Sequence, residues 1–440
     1  MSNVKTKIIY KIFPIILLLI ASSFLIFYKY NEIPKGLTHD ENELARVAFS
    51  LENKPYTPFT PVADGHGTPY FYSLLLSFKI FGVNQFALRL PSRIFGILNI
   101  VFFYLILQLV SKNNDKKNLT VHYSLITSLL LLNSRWFLHF SRVAFEVPFL
   151  LLMEQISIYF ILVSFKTTRY SLSARHARQY AGVAGWLTTT LLSGIFAGIA
   201  FNSYQPGRIF FLIPLFLLFV KKVNKKQIFY YLIAFIISII PISTYLLINP
   251  NNDIRINQQF FLKNSSLSSL KKAEFLGANI LNTSLMFISK GDMHGVHNYT
   301  GKPALNPIFF IFFFAGLVIA LKNYKKIENL LFLSYFAISL APTIFTYPWE
   351  NPNMLRTYTA LPAIIYFAGL SILTITNYFQ KIFFNKYLKY LLLITCYLLL
   401  IVSTLYELRT YFIYQPLVFK QAYDKPDYLK IIRSSTQKNE

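Results

Sequence analysis

The chain has 440 residues, of which 54% are hydrophobic and 14% are charged. A soluble domain carries roughly 25% charged residues, so this composition excludes an ordinary soluble protein. The formal net charge of +25 does not indicate a nucleic-acid partner, because the excess Lys and Arg lies in short loops between apolar segments. With Cys396 as its one cysteine, the chain forms no internal disulfide.

Apolar segments of a length that can cross a bilayer recur along the chain, and a backbone in lipid must satisfy its hydrogen bonds within each helix. The sequence therefore predicts an all-α polytopic integral membrane protein, a single transmembrane domain over 1–440 with about eleven transmembrane helices. The first is read as an anchor and not as a cleavable signal. The predicted spans are 8–28, 89–110, 120–138, 146–165, 182–201, 208–220, 227–248, 305–321, 328–346, 357–376 and 390–411.

Segment 69–82 is apolar but short, so we expect a re-entrant or interfacial helix there. Three longer stretches connect or follow the spans on the predicted outer side. They are a first outer loop with juxtamembrane helices (29–88), a large outer loop (249–304) and a short C-terminal tail (412–440). We expect the large loop to pack over the first one and to shape an acceptor cleft.

Basic residues occur in alternate loops, which by the positive-inside rule are cytoplasmic. This pattern predicts a multi-pass plasma-membrane protein with a cytoplasmic N-terminus. The basic residues in question are Lys5, Lys7, Lys11, Lys112, Lys116, Lys117, Lys166, Arg169, Arg175, Arg178, Lys221, Lys222, Lys225, Lys226, Lys322, Lys325, Lys326, Lys381, Lys386 and Lys389.

The opposite loops carry acids and histidines, which predicts a functional site at the outer face. These residues are Asp40, Glu41, Glu43, Asp64, Glu146, Asp253, Asp292, Glu350, His39, His66, His139, His294 and His297.

The stretch 36–51, GLTHDENELARVAFSL, contains the capping-box pattern Thr38-x-x-Glu41 followed by apolar residues at helical spacing. One interpretation is a capped amphipathic helix on the bilayer. The other is functional, because a carboxylate near a helix N-terminus stays ionised and can act as a base or hold a divalent cation. The local sequence leaves both open.

Four short motifs lie at the predicted outer face. The first is His39-Asp40-Glu41 after the first span. The second is DGHGTPYFYSLLLSFKIFG (64–82) followed by ALRLPSRIFG (87–96). The third is HFSRVAFEVP (139–148), and the fourth is NMLRTYTALP (353–362).

Together these motifs resemble the GT-C superfamily of polyprenyl-phosphate-sugar-dependent glycosyltransferases. Within it, the chain looks most like the protein O-mannosyltransferases and the bacterial lipid A aminoarabinose transferases. Gly67-Thr68-Pro69 departs from the family's Pro-Pro, and Glu146 replaces an Asp. The tail is also too short for a separate folded domain. These departures concern the acceptor class more than the reaction type.

The resemblance implies that Asp40 is the base that takes the acceptor's proton in a single, inverting displacement at the anomeric carbon. Glu41 would orient Asp40, bind a cation or only close the capping box. Glu146 would be a second carboxylate that positions acceptor or metal, or else the partner of Arg142 in a helical i,i+4 ion pair.

A departing lipid phosphate needs a cation, and Arg offers it two parallel donors. Arg356 is the first candidate, and Arg142, His66 and Asp64 are further substrate-binding candidates. The alternative for an Arg at the end of a span is snorkelling to the interface. Arg89 and Arg93 are interpreted as structural.

A divalent metal (Mg, Mn or Zn) is a possible cofactor. His39, His294 and His297 are its candidate ligands, with His294-x-x-His297 spaced for one turn. The alternative for such loop histidines is simple solvation.

The implied partners are a polyprenyl-phosphate sugar donor, membrane lipid, and a glycan, lipid or protein acceptor. A transporter or flippase for a lipid-linked glycan is the competing function, and an inactive scaffold is a third. Transport predicts ionisable residues within spans, whereas the acids of this chain concentrate at one face.

Overall fold

A computed structural model describes residues 2–111, 117–172, 176–382 and 386–438. Lys112, Lys116 and Arg175, which belong to the predicted cytoplasmic loops, lie outside the described residues. The described chain is almost entirely helical, with one two-stranded antiparallel hairpin of β1 (Phe59–Thr60) and β2 (His66–Gly67). The all-α prediction is confirmed.

The helices, in chain order, are α1 (Ser2–Phe27), α2 (His39–Phe49), α3 (Pro69–Phe81), α4 (Gln85–Val110), α5 (Lys117–Leu132), α6 (Arg135–Arg142), α7 (Val147–Leu172), α8 (His176–Phe201), α9 (Leu212–Val220), α10 (Lys225–Ile248), α11 (Ile254–Gln259), α12 (Ser269–Leu285), α13 (Pro307–Lys322), α14 (Ile327–Ile344), α15 (Leu361–Ile382), α16 (Lys386–Arg409), α17 (Gln415–Ala422) and α18 (Leu429–Lys438).

Six stretches of the described helices are long and apolar enough to cross a membrane: 85–110, 147–167, 225–248, 327–344, 358–379 and 390–422. Five shorter apolar stretches accompany them at 12–27, 121–132, 185–201, 205–220 and 307–322. Each predicted span overlaps one of these stretches, so a multi-pass membrane protein is established. The number of crossings stays a prediction.

The segment predicted to be too short to cross is α3, which has 13 residues and begins with Pro69 at its first position. Tyr70, Phe71, Leu74 and Phe78 are buried on one side of α3, while other apolar side chains of the same helix are exposed. A short helix with one apolar face packed on protein is the expected form of an interfacial element.

The chain divides into two compact units that interleave along the sequence. The first unit comprises 1–35, 112–140 and 264–424. Its most extensive helix pairing is between α13 and α15, and α5 and α14 also pack on α15.

The second unit comprises 36–111, 141–263 and 425–440. Its long helices are α4, α7, α8 and α10, which pack in the order α4–α7–α8–α10. The shorter helices α2 and α3 contact each other, α3 also packs on α4, and α18 packs on α2. This unit holds the hairpin and most of the predicted site residues.

Candidate active site

The predicted capping box at the start of α2 is confirmed. The Thr38 hydroxyl oxygen accepts a hydrogen bond from the Glu41 amide at 2.9 Å, and the Thr38 amide donates to Glu41 Oε2 at 3.3 Å. These bonds satisfy two backbone donors that have no partner inside the helix. They fix where α2 begins, and with it the direction of each side chain in its first turn.

Glu41 is fully buried and its carboxylate is saturated with hydrogen bonds. Arg89 donates from Nε to Oε1 and from Nη2 to Oε2, both at 2.7 Å, and the Ala144 amide donates to Oε1 at 3.0 Å. Arg89 Nη2 also donates to the Gly36 carbonyl at 2.6 Å. This buried, bidentate pair joins α2 to α4 and to the connection between α6 and α7, so Arg89 is structural, as predicted.

Asp40 has the opposite environment, although it is the neighbouring residue. Successive helical side chains are about 100° apart, so the rotation that buries Glu41 turns Asp40 outwards. Both His39 and Asp40 are exposed. Within the described chain the Asp40 carboxylate makes no hydrogen bond or ion pair, so it can accept a proton from a bound molecule.

Glu146 lies in the connection between α6 and α7, because α6 ends at Arg142 and α7 begins at Val147. The two residues therefore do not share a helix, and the helical i,i+4 geometry proposed for them is absent. Glu146 Oε1 is instead 3.0 Å from Nδ1 of His66, and both side chains are almost completely buried. Arg142 is also buried, at the end of α6.

His66 connects Glu146 to a residue that the sequence analysis did not select. Its Nε2 lies 3.3 Å from Nη2 of Arg255 and 3.0 Å from the Ala63 carbonyl, and Arg255 Nη2 donates to that carbonyl at 3.1 Å. The Ala63 carbonyl thus lies within hydrogen-bond distance of both His66 Nε2 and Arg255 Nη2, and Glu146 Oε1 can accept a hydrogen bond from His66 Nδ1. Arg255 lies in the predicted large outer loop, in the stretch that the structure shows as α11, and no motif marks it in the sequence.

The turn of the hairpin, which precedes His66, has positive backbone φ angles that residues other than glycine rarely adopt. Ala63 and Asp64 have φ of +54° and +70°, and Gly65 follows at +98°. Asp64, a predicted substrate-binding residue, is exposed at this turn. A Cβ on Gly67 would lie 1.8 Å from the Asn202 carbonyl, so only glycine allows the hairpin this close to the end of α8.

A cleft of about 250 Å³, counted with its open mouth, lies beside this hairpin. The two arginines that line it differ in whether a carboxylate neutralises their charge. Arg208 forms an ion pair with Asp253, which also accepts a hydrogen bond from Gln205 at 3.1 Å. Arg255 has no carboxylate partner in the described chain, which leaves it to bind an anion. The cleft is lined by Gly65, His66, Gly67, Phe201, Asn202, Ser203, Tyr204, Gln205, Arg208, Ile242 and Arg255.

Arg356 belongs to the other unit and is considered there by itself. It lies just before α15, its side chain is 11% exposed, and it forms an ion pair with Glu350. Its backbone amide donates to Asn353 Oδ1 at 3.0 Å. The predicted phosphate ligand is therefore already charge-compensated within its own unit.

The same unit contains a buried Asp292–His297 pair, with His297 Nδ1 3.1 Å from Asp292 Oδ2. Burial opposes ionisation of Asp292, but hydrogen bonds from His297 and from the amides of Met354 and His294 outweigh it. The pKa of Asp292 consequently lies below its ordinary value. Because Met354 is two residues before Arg356, Asp292 secures the backbone next to the Arg356 segment.

The histidines do not assemble into a metal centre within the described residues, where no three His, Cys, Asp or Glu side chains form a group suited to an ion. His294 stacks on His297 with ring centroids 5.1 Å apart, and His297 Nδ1 is engaged by Asp292. His39 belongs to the other unit. These residues do not fit the predicted metal, and no step is assigned to one.

No family model matches the chain, and no curated protein matches it. Solved structures do match, and they show the fold of the chain. The predicted resemblance agrees with these matches at the level of fold.

Two of these structures illustrate the match. One is the archaeal oligosaccharyltransferase AglB from Archaeoglobus fulgidus in complex with an inhibitory peptide and a dolichol-phosphate. It is 15% identical with a TM-score of 0.56, and the match covers 91% of this chain and 56% of AglB. The other is ArnT from Cupriavidus metallidurans bound to undecaprenyl phosphate. It is 12% identical with a TM-score of 0.53, and the match covers 96% of this chain and 78% of ArnT.

This chain thus spans little more than half the length of AglB. An oligosaccharyltransferase from Archaeoglobus fulgidus has also been solved in complex with Zn and sulfate, and it matches with a TM-score of 0.51 and 15% identity. At these identities the comparisons establish the fold alone.

Proposed function

We propose that the protein is a membrane glycosyltransferase that moves a sugar from a polyprenyl-phosphate donor to an acceptor, with Asp40 as the general base. The observation that carries this proposal is the division between two adjacent acids. Glu41 is buried and its carboxylate is fully hydrogen-bonded, whereas Asp40 is exposed in the first turn of α2 and makes no hydrogen bond or ion pair within the described chain. The fold shared with ArnT and AglB, both solved with polyprenyl-type phosphates, supports this donor class.

The reaction is a single displacement with inversion at the anomeric carbon. The acceptor's nucleophilic atom forms a bond to the anomeric carbon and its proton passes to the Asp40 carboxylate. On the opposite face the bond to the phosphate oxygen breaks, and polyprenyl phosphate leaves with the electron pair. Positive charge near that oxygen lowers the barrier, because negative charge accumulates there in the transition state.

Arg255 is the cation we assign to the departing phosphate. It lines the cleft beside the hairpin, and it lacks a carboxylate partner in the described chain, unlike Arg208 and Arg356. His66 and Glu146 hold its position through the contact between Arg255 Nη2 and His66 Nε2. Glu41 of α2 accepts a hydrogen bond from the Ala144 amide, and Glu146, two residues further along the chain, contacts His66. These contacts connect α2, the helix that carries Asp40, to the cleft.

The basic loops further support an active site on the outer face of the plasma membrane, with the N-terminus in the cytoplasm. The acceptor is a glycan, lipid or protein hydroxyl or amine.

The test is sugar transfer by purified protein in detergent, with a panel of undecaprenyl- and dolichyl-phosphate sugars and with EDTA present or absent. We expect Asp40→Asn to lower release of polyprenyl phosphate by about 10²- to 10⁴-fold, because Asn retains the shape but cannot accept the proton. The matched control is Glu43→Gln, three residues along the same helix, where Glu43 pairs with Arg46 at the surface. An Asp40→Asn variant as active as the wild type would remove Asp40 from the mechanism.

One observation favours transport of a lipid-linked glycan as the second candidate function. Glu154 is 2% exposed and lies seven residues into the membrane-spanning part of α7, where no sequence motif marked this intramembrane acid. Buried acids at such depth often line substrate or proton paths. If Glu154→Gln abolishes movement of a fluorescent lipid-linked sugar across proteoliposomes while Asp40→Asn does not, the transport function replaces the transferase.

A further inference from the structure

The C-terminal segment 425–440 belongs to the same unit as α2 and returns to it from the far end of the chain. Leu37, the residue before the N-cap of α2, forms an antiparallel bridge with Lys425. The Leu37 amide donates to the Lys425 carbonyl at 2.9 Å, and the Lys425 amide donates to the Leu37 carbonyl at 3.0 Å. The start of α2 is thereby fixed by two backbone hydrogen bonds.

Two residues further on, Asp427 contacts the start of α4. Its Oδ2 accepts a hydrogen bond from the amide of Gln85, the first residue of α4, at 3.3 Å, and its Oδ1 accepts from the Leu429 amide at 3.2 Å. Arg89, which binds Glu41, lies one turn into α4. The segment therefore contacts the beginnings of both helices that carry the Glu41–Arg89 pair.

The opposite end of α2 is held by α18. Arg433 donates from Nε to Glu52 Oε2 at 2.9 Å and from Nη2 to Oε1 at 2.5 Å, and Gln437 adds a contact at 3.2 Å. Glu52 follows the C-cap of α2 by two residues. Both ends of α2 are thus attached to 425–440.

These attachments differ from the docking of a simple terminal helix. α18 buries Leu429 completely but leaves Ile431 63% exposed, so apolar burial contributes only part of its adhesion. The remaining contacts are directional hydrogen bonds. They are the backbone bridge between Leu37 and Lys425, the bonds from the Gln85 and Leu429 amides to Asp427, and the bidentate pair of Arg433 with Glu52. Directional bonds at both ends of a helix restrict its rotation and its sliding, which apolar contact alone restricts weakly.

We propose that Asp427 and Arg433 are positioning residues that hold α2 in the orientation that exposes Asp40 and buries Glu41. This inference rests on the proposed function for its consequence in catalysis, but the orientation itself is measurable without a substrate. Arg433 acts through Glu52, just beyond the end of α2, and Asp427 acts through the first residue of α4.

The test is hydrogen–deuterium exchange of the full-length protein in detergent, read at peptides covering 36–52. Arg433→Glu places two carboxylates face to face, and we expect amide exchange across α2 to accelerate about tenfold. The reciprocal double variant Glu52→Arg/Arg433→Glu restores the pair and should return exchange to the wild-type rate. Lys430→Glu is the matched control, because it makes the same charge change at an exposed position of α18.

Unchanged exchange in Arg433→Glu, or equal acceleration in Lys430→Glu, overturns the proposal, as does a double variant that fails to restore protection. Asp427→Ala is a second, independent variant and should accelerate exchange at 36–40 before the rest of α2. With any donor that the transfer assay identifies, Arg433→Glu should lower kcat about tenfold with KM unchanged, and the double variant should recover it. A protein that shows the exchange pattern without transfer activity leaves the positioning intact and refutes the transferase.

Discussion

At the residue scale, the adjacent acids Asp40 and Glu41 show what a sequence can and cannot define. The capping box was predictable, because it depends on spacing along one helix. Which of the two acids would be buried was not, because that depends on Arg89 and on the Ala144 amide, which reach Glu41 from distant parts of the chain. It is therefore the fold that leaves Asp40 as the catalytic candidate and makes Glu41 a structural residue.

The Glu41–Arg89 pair should contribute strongly to stability. We expect Arg89→Ala to lower the free energy of unfolding by about 3–5 kcal/mol, because it leaves the Glu41 charge buried without its partner. Arg46→Ala is the control: it removes the partner of Glu43 in an exposed pair, and should cost about 0–1 kcal/mol. Thermal and denaturant unfolding of the purified variants measures both. An equal loss of unfolding free energy in the two variants would show that the buried pair stabilises the protein no more than the exposed pair does.

The candidate phosphate ligands show how neighbours in the fold change the interpretation of an arginine. Arg356 was selected from a motif, but its charge is compensated by Glu350, a partner that the sequence did not single out. Arg255 lay in a polar loop without a pattern, and only folding places it against His66. Charge compensation is a property of three-dimensional neighbours, so motifs alone could not rank these arginines.

At the element scale, hydropathy located the helices well but not their ends. The predicted span 120–138 is broken into α5 and α6 at Asn133 and Ser134, where the Asn133 side chain donates to the Leu129 carbonyl at 2.8 Å. The predicted span 208–220 begins in a 3-10 turn over Gln205–Ile209 that contains Pro206. Such breaks depend on local hydrogen bonding, to which an average of hydropathy is insensitive.

Packing between elements makes its own prediction at Gly316 in α13. A Cβ there would lie 1.7 Å from the Phe367 carbonyl of α15, so Gly316→Ala must separate the two helices and should cost about 1–3 kcal/mol. Gly277 in α12 has no atom within 4 Å of the same position, and Gly277→Ala should stabilise by about 0.4–1 kcal/mol. Unfolding temperatures of the two variants should shift in opposite directions. A shift in the same direction contradicts the packing argument.

At the scale of the whole molecule, composition was sufficient for the class of protein. The scarcity of charge and the recurrence of apolar segments predicted a helical membrane protein, and the fold agrees. The division of the chain into two interleaved units was not predictable from the sequence, because it depends on which helices pack together in three dimensions.

The basic loops predict an orientation that can be tested directly. In a Cys396→Ser background, a cysteine at Ser265 in the predicted outer loop should react with a membrane-impermeant maleimide in intact cells. A cysteine at Lys325, between α13 and α14, should react only after permeabilisation. Both positions are exposed, so accessibility across the membrane is what differs. Reversed labelling would place the Asp40 loop in the cytoplasm and invert the topology.

The return of 425–440 to α2 has a consequence for biogenesis. Leu37 and Lys425 form an antiparallel bridge, and the apolar helices α4 to α16 lie between them in the sequence, so Lys425 is synthesised after these helices. The bridge between them is therefore a contact of very high sequence separation, and such contacts form late. During synthesis α2, the helix that carries Asp40, therefore makes its final attachments late, and the proposed active site is completed only after the intervening helices have been made.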